Sequence, residues 1–209
     1  MLRAHHMQSK VHLLHSPTPG QDPSTPVRER VRSQSSGARV VLEQARHAAE
    51  APDSANWTFD KLPSGAPAPH GDWYWSISHD AVRVAAAVYQ GPIGVDLERI
   101  VLRRQALVER VLKPEEWDLF VGDEALAFTR AWTAKEAVLK AAGVGLAELR
   151  KCRVTRVLDE HRLLLSHREQ KLLVQQTRFE NHVLAVHVPG HDWEVEWRAV
   201  PAPTDLDPS

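Results

Sequence analysis

An α+β fold follows from three features of the sequence. Short strand-like segments fall in two blocks, a long helical stretch lies between them, and strand never alternates regularly with helix as a doubly wound sheet requires. Each strand-rich block adjoins a helix, which permits two similar α/β halves packed as a pseudo-dimer, each a small antiparallel sheet with a long helix. No internal repeat marks the halves. The division falls into an N-terminal half over 1–90, with little pattern in its first 35 residues, a C-terminal half over 91–200, and a loose tail over 201–209.

Residues 10–14 have strand-like composition, but His5, His6, His12 and His15 show no ordered metal-ligand spacing, so a solvated, poorly ordered start is expected. Prolines 17, 19, 23 and 26, then 52, 63, 67 and 69, mark two loops. Between them, residues 38–50 lack Gly and Pro and place Val41 and Ala45 at helical spacing, which predicts a helix. Residues 73–78 alternate large apolar with small polar side chains, residues 82–89 are mostly Val and Ala, and residues 93–97 follow a Gly91-Pro92 turn. Three short strands are expected there. From Val101 the pattern turns helical, with Pro114, Glu115 and Glu116 suited to a first turn. A long helix should run from about 123 to 142, where Gly143 and Gly145 stop it. Residues 153–158, 162–166, 171–176, 182–188 and 193–200 read as antiparallel strands.

Composition excludes several classes. The 26 Lys and Arg against 27 Asp and Glu leave a net charge of −1, unlike a general nucleic-acid binder. A single cysteine, Cys152, cannot form an internal disulfide, and no secretory leader pattern opens the chain, so a cytoplasmic setting is expected. Charges interrupt every apolar stretch well short of the roughly 20 residues that span a bilayer, so no membrane association is expected.

Three runs carry chemistry. In Gly94-Val95-Asp96-Leu97-Glu98, an extended strand points both acids to one face. Close carboxylates repel unless a proton or a cation intervenes, and hard oxygen donors suit Mg²⁺; the plain alternative is a hydrated strand end. In the long helix Trp132, Glu136 and Lys140 stand at i, i+4 and i+8 on one face. Glu136 and Lys140 would by themselves be an ordinary helix ion pair, but beside the acid pair Glu136 completes a three-carboxylate cation site, and Lys140 offers charge to a phosphate. In Trp75-Ser76-Ile77-Ser78-His79-Asp80 a hydroxyl and an imidazole end a strand, placed either to bind a phosphate or to cap a turn.

Read in order, SISHD, GVDLER and WTAKEAVLKAAGVGL resemble the three signatures of the 4′-phosphopantetheinyl transferase superfamily, over residues 73–146. Chain length is similar to that of the larger, monomeric pseudo-dimer type that activates surfactin synthetase, rather than the short trimeric type. The resemblance implies transfer of phosphopantetheine from coenzyme A to a serine of an acyl or peptidyl carrier protein, with release of adenosine 3′,5′-bisphosphate. It implies Mg²⁺, or Mn²⁺, on Asp96, Glu98 and Glu136, and Lys140 on the pyrophosphate. His79 with Ser78 would meet the nucleotide's phosphate end, and Trp132 and Lys135 belong to the motif around the metal acid. Glu116 lies near an acid that deprotonates the incoming serine, a role for which Glu136 competes. Arg39 would hold the 3′-phosphate, in competition with Arg28, Arg30 and Arg32. One departure stands out: many relatives have Gly-basic-Pro where this chain has Gly65-Ala66-Pro67, so one phosphate contact is missing or supplied from elsewhere.

Arg99, Arg103, Arg104, Arg110 and Lys113, against Glu109 alone, form either a basic face that steers an acidic carrier protein or a solvated helix face. Two other readings compete: a Mg²⁺-dependent phosphohydrolase on the same acids, and a non-catalytic binding homologue. The carrier's pathway, whether fatty acid, polyketide or nonribosomal peptide, is not readable from these residues.

Overall fold

The computed structural model describes residues 9–18, 27–52, 57–190 and 193–202. Its strands and helices run in the order β1 (Ser9–Pro17), α1 (Val27–Ala48), β2 (Trp73–His79), β3 (Arg83–Gln90), β4 (Gly94–Arg99), α2 (Gln105–Val111), α3 (Pro114–Trp117), α4 (Glu124–Ala141), β5 (Arg153–Val157), β6 (Arg162–His167), β7 (Gln170–Phe179), β8 (His182–His187) and β9 (Trp193–Ala199), with a 3₁₀ turn at Leu146–Lys151. The mixed α+β class is as the sequence predicts.

Two sheets form, with strand orders β2-β3-β1-β9 and β4-β8-β7-β6-β5. Side-chain alternation sorts the core into layers. Leu14, Val84, Ala86 and Val88 face Val41, Leu42 and Ala45 of α1, whereas Val11, Leu13, Ala85 and Ala87 face Val95, Leu97, Leu184 and Val186 of the other sheet. Ala185, Leu163, Leu165 and Val174 pack beneath Ala131, Ala134 and Val138 of α4. The order is therefore α1, first sheet, second sheet, α4. Strands β3 and β8 are buried on both faces, which explains why β3 needs the small side chains of Ala85, Ala86 and Ala87.

Three expectations are corrected. Residues 10–14 are the middle of β1, not a solvated start: Val11 and Leu13 are fully buried, and the strand sits between β3 and β9. His5 and His6 lie outside the described residues. Helix α1 begins at Val27, eleven residues before the predicted start; the Ser33, Ser35, Ser36 and Gly37 positions weaken the helical signal in the sequence. The first sheet is not purely antiparallel, since β9 runs parallel to β1 over Ser9↔Trp193 to His15↔Ala199. A parallel pair needs a long crossover, and nearly the whole chain lies between these two strands. The strand at 193–199, within the range assigned to the C-terminal half, thus completes the N-terminal sheet. Among the described residues no helix is long and apolar enough to cross a membrane.

The helix signals act as read. Asp123 caps α4 by accepting from the Leu126 amide at 2.7 Å, and Gly143, at φ +66°, ends it. Strand β4 meets α4 at Gly94, where a Cβ would lie 1.8 Å from the Ala137 carbonyl oxygen and 2.6 Å from the Ala141 amide nitrogen. Only glycine permits that approach. Gly94→Ala is expected to cost about 3 kcal/mol or more, read as a lowered midpoint in chemical denaturation; an unchanged midpoint would show that strand and helix can separate freely.

Candidate active site

Strand β4 is an edge strand, so alternate backbone groups have no strand partner and need another. Val95 finds both of its partners in side chains: Ser76 Oγ accepts from its amide at 2.9 Å, and Lys140 Nζ donates to its carbonyl at 3.0 Å. Ser76 projects from β2 on the opposite face from Trp75 and Ile77, and so does Ser78, whose hydroxyl donates to Asp96 Oδ1 at 2.9 Å. The small polar residues of β2 therefore face the other sheet, not solvent.

Asp96 and Glu98 share the α4 side of β4, as the strand period predicts. Asp96 is buried, and Lys140 Nζ bonds its Oδ1 at 2.7 Å. Glu98 accepts from Trp132 Nε1 at 3.3 Å and from Arg103 at 2.8 Å. Of α4, Trp132, Glu136 and Lys140 are half-buried while residues 133–135 and 137–139 are buried, so the i, i+4, i+8 face is the one that borders open space. A cavity of about 310 Å³ opens beside it, lined by Glu136, Lys140, Gly143, Gly145, β2 residues 75–77 and the loop from Lys61 to Pro67.

The electrostatics are those of a site with surplus acid. Burial pushes the Glu136 carboxyl up to about 7, Asp96 and Glu98 push in the same direction, and Lys140 opposes them. Glu98 is raised by burial first and by Asp96 second, against the pull of Arg103. Asp96 Oδ2 and Glu136 Oε1 are buried without a hydrogen-bond partner. Among the described residues no three His, Cys, Asp or Glu side chains are grouped as a metal centre; Lys140 and Arg103 lie against two of the acids. The donor chemistry, unpartnered hard oxygens with excess negative charge from two packed elements, is what a Mg²⁺ ion matches.

Asp96, Glu98, Glu136, Lys140, Trp132 and Ser78 are thus brought together, but four other sequence candidates are not. Glu116 and Lys135 are each 1% exposed and pair at 2.7 Å. Glu116 also accepts from the Val154 and Lys113 amides at 2.7 and 3.0 Å, and Lys135 donates to the Val111 carbonyl at 2.6 Å. A carboxylate with every oxygen engaged and no exposed surface has no path to a substrate hydroxyl, so this pair is structural. The sequence cannot reveal this, because Lys135 lies beside Glu136 in the chain but is turned about 100° round the helix, into the core. His79 stands exposed at the end of β2, and Arg39 is exposed on α1; neither lines the cavity. Two residues were missed. Ser76 was legible from its alternation with Ser78. Lys61, which lines the cavity from the same loop as Ala66, had no signal apart from its charge.

The ionisation of Glu136 has a stability consequence. An acid whose folded pKa lies above its unfolded value weakens the fold as pH rises from about 4.5 through about 7 and disfavours it fully above that. Glu136→Gln is therefore expected to stabilise the metal-free protein at pH 8, by on the order of 1–2 kcal/mol after allowance for solvent screening, and to flatten the melting temperature against pH over that window. Parallel melting curves for the two proteins from pH 4.5 to 8 would refute the assignment.

The family model of the 4′-phosphopantetheinyl transferase superfamily matches residues 92–188, the stretch that carries both acid runs and α4. A curated protein, 4′-phosphopantetheinyl transferase HetI of Nostoc sp., is 34% identical over 127 residues, 57% of this chain and 53% of the relative. The match spans about half of the relative's length.

Proposed function

We propose that this protein transfers the 4′-phosphopantetheine group of coenzyme A to a serine of an acyl or peptidyl carrier protein, a reading supported by the match of residues 92–188 to the family model of the 4′-phosphopantetheinyl transferase superfamily. The observation that carries the reading is the convergence of Asp96, Glu98, Glu136 and Lys140 at the contact of β4 with α4, beside an open cavity.

In the reaction the serine oxygen attacks the β-phosphorus, a new phosphoester bond forms, the pyrophosphate bridge breaks, and adenosine 3′,5′-bisphosphate leaves. Asp96, Glu98 and Glu136 would hold a Mg²⁺ ion, which when bound neutralises pyrophosphate charge. Lys140, anchored by the Val95 carbonyl and Asp96, presents a fixed ammonium to the charge that builds on the departing phosphate. Glu136, half-buried and lining the cavity, is the carboxylate left to accept the serine proton, directly or through a water, since Glu116 is enclosed. Trp132 orients Glu98 through its indole N–H and stacks on Phe128, with ring centroids 6.2 Å apart. Ser78 holds Asp96 in place, and His79, exposed at the end of β2 and outside the cavity lining, is a candidate for the part of the nucleotide that projects beyond the cavity. Lys61 brings a cation to the cavity where Ala66 brings none, and Arg39 is a more distant candidate for the 3′-phosphate.

The carrier protein is proposed to dock on the end of β4 and the stretch after it, where Arg99, Arg104, Arg110 and Lys113 are exposed. Arg103 is tied to Glu98 and belongs to the site instead. The protein is proposed to act as a monomer in the cytoplasm.

Intact-protein mass spectrometry of apo carrier proteins incubated with this protein, coenzyme A and Mg²⁺ tests the reading. A phosphopantetheine-sized gain is expected, lost with Glu136→Ala or with chelator; no gain across acyl and peptidyl carriers, together with release of inorganic phosphate from simple esters, would point to hydrolysis instead. Mg²⁺ alone should raise the melting temperature of the wild-type chain and leave Glu136→Gln nearly unmoved. Replacing Arg104 and Arg110 by Glu is expected to raise KM for the carrier by roughly tenfold at low salt and leave KM for coenzyme A within about twofold. Equal effects on both would remove docking from this face.

A further inference from the structure

Strand β2 is anchored to the second sheet by one face. Ser76 bonds the Val95 amide and Ser78 bonds Asp96, and the next residue on that face is Asp80. Its carboxylate does two things at once. Oδ1 accepts from the Val82 and Arg83 amides, each at 2.8 Å, and so closes the turn from β2 to β3. Oδ2 takes His182 Nε2 at 2.9 Å, across 102 residues of sequence. His182 opens β8 and lies opposite Arg99 at the end of β4, and its side chain is only 5% exposed.

The ring of His182 is held in turn. It stacks on Phe179 at 5.7 Å, and Phe179 stacks on His15 of β1 at 4.1 Å. Arg83 lies 5.9 Å over the same Phe179 ring and pairs with Glu180. Residues of the first sheet (His15, Asp80, Arg83) thus interlock with residues of the second (Phe179, Glu180, His182) at the end of β2 where His79 sits. His79 itself is exposed, and its place in space is set by its two anchored neighbours, Ser78 and Asp80.

We propose that Asp80 and His182 are positioning residues: their bond clamps the β2–β3 turn to β8 and thereby holds Ser78 and His79 in register with the acids of β4. The clamp ties together strands that only long-range folding brings near, and it does so at the end of β2 where Ser78 and His79 stand. A displacement of about 1 Å at a substrate-binding group costs binding or rate by up to two orders of magnitude. The consequence for substrate rests on the transferase reading above, with His79 at the nucleotide end of coenzyme A. The clamp itself does not rest on it.

His182→Ala and His182→Gln test this in the full-length chain. Glutamine keeps an N–H donor that reaches Asp80, whereas alanine does not. For His182→Ala, KM for coenzyme A should rise roughly tenfold, with kcat and KM for the carrier within about twofold, and amide hydrogen exchange at 78–83 should quicken while β8 stays protected. His182→Gln should restore both readouts. A lowered melting temperature with KM and exchange unchanged would reduce the pair to a purely structural contact and overturn the proposal, as would an alanine variant indistinguishable from glutamine. Asp80→Ser, whose hydroxyl still closes the turn but falls short of His182, carries the same expectation and decides the matter where His182→Ala does not fold. A wild-type chain that transfers nothing to any carrier would overturn the transferase reading, and the exchange at 78–83 would then decide the clamp alone.

Discussion

The site depends on the contact between the backbone of β4 and the backbone of α4 at Gly94. With no side chain between them, the Ala137 carbonyl comes to where a Cβ would stand, and the residues that flank this point on the two elements are forced together. Asp96 is two residues along the strand from Gly94, and Glu136 precedes Ala137 on the helix, with Lys140 one turn further on. Repulsion among acids would spread such a group apart if the elements were free to slide. The buried apolar side chains of α4, Ala131, Ala134 and Val138, hold it on the sheet instead, so packing sustains an electrostatic arrangement that would not assemble alone.

The open edge of β4 is the second half of the same constraint. An unpaired strand edge is a liability for association, and here it is satisfied by the residues of the site. Ser76 takes the Val95 amide, Lys140 takes its carbonyl, and Ser78 reaches the next residue, Asp96. One set of side chains therefore seals the seam between the sheets and fixes the ammonium and the acid in place.

The two carboxylate–lysine pairs whose lysines α4 contributes have opposite characters, set by which side of the helix each lysine occupies. Glu116–Lys135 is enclosed, every oxygen is engaged, and the two charges cancel within the core. Asp96–Lys140 is flanked by two more acids, has oxygens without partners, and opens on a cavity. A buried pair that is fully satisfied gives the fold specificity, whereas one with surplus charge and access to solvent gives chemistry.

Local sequence determined most of the elements and the side chains that the candidate site gathers. Strand and helix periods placed Asp96 with Glu98 and Trp132 with Glu136 and Lys140, and the cap at Asp123 and the stop at Gly143 bounded α4, because each of these rests on contacts within a few residues. Tertiary structure decided the rest. That 10–14 is a core strand, that β9 joins β1 in parallel, that Ser76 faces the other sheet, that Glu116 is enclosed with Lys135, and that His182 reaches Asp80 all depend on partners 19 to 184 residues away, where no local period carries information. Neighbours in sequence such as Lys135 and Glu136 take opposite roles because the helix turns them about 100° apart, and only the packed layers say which of those directions is core and which is cavity.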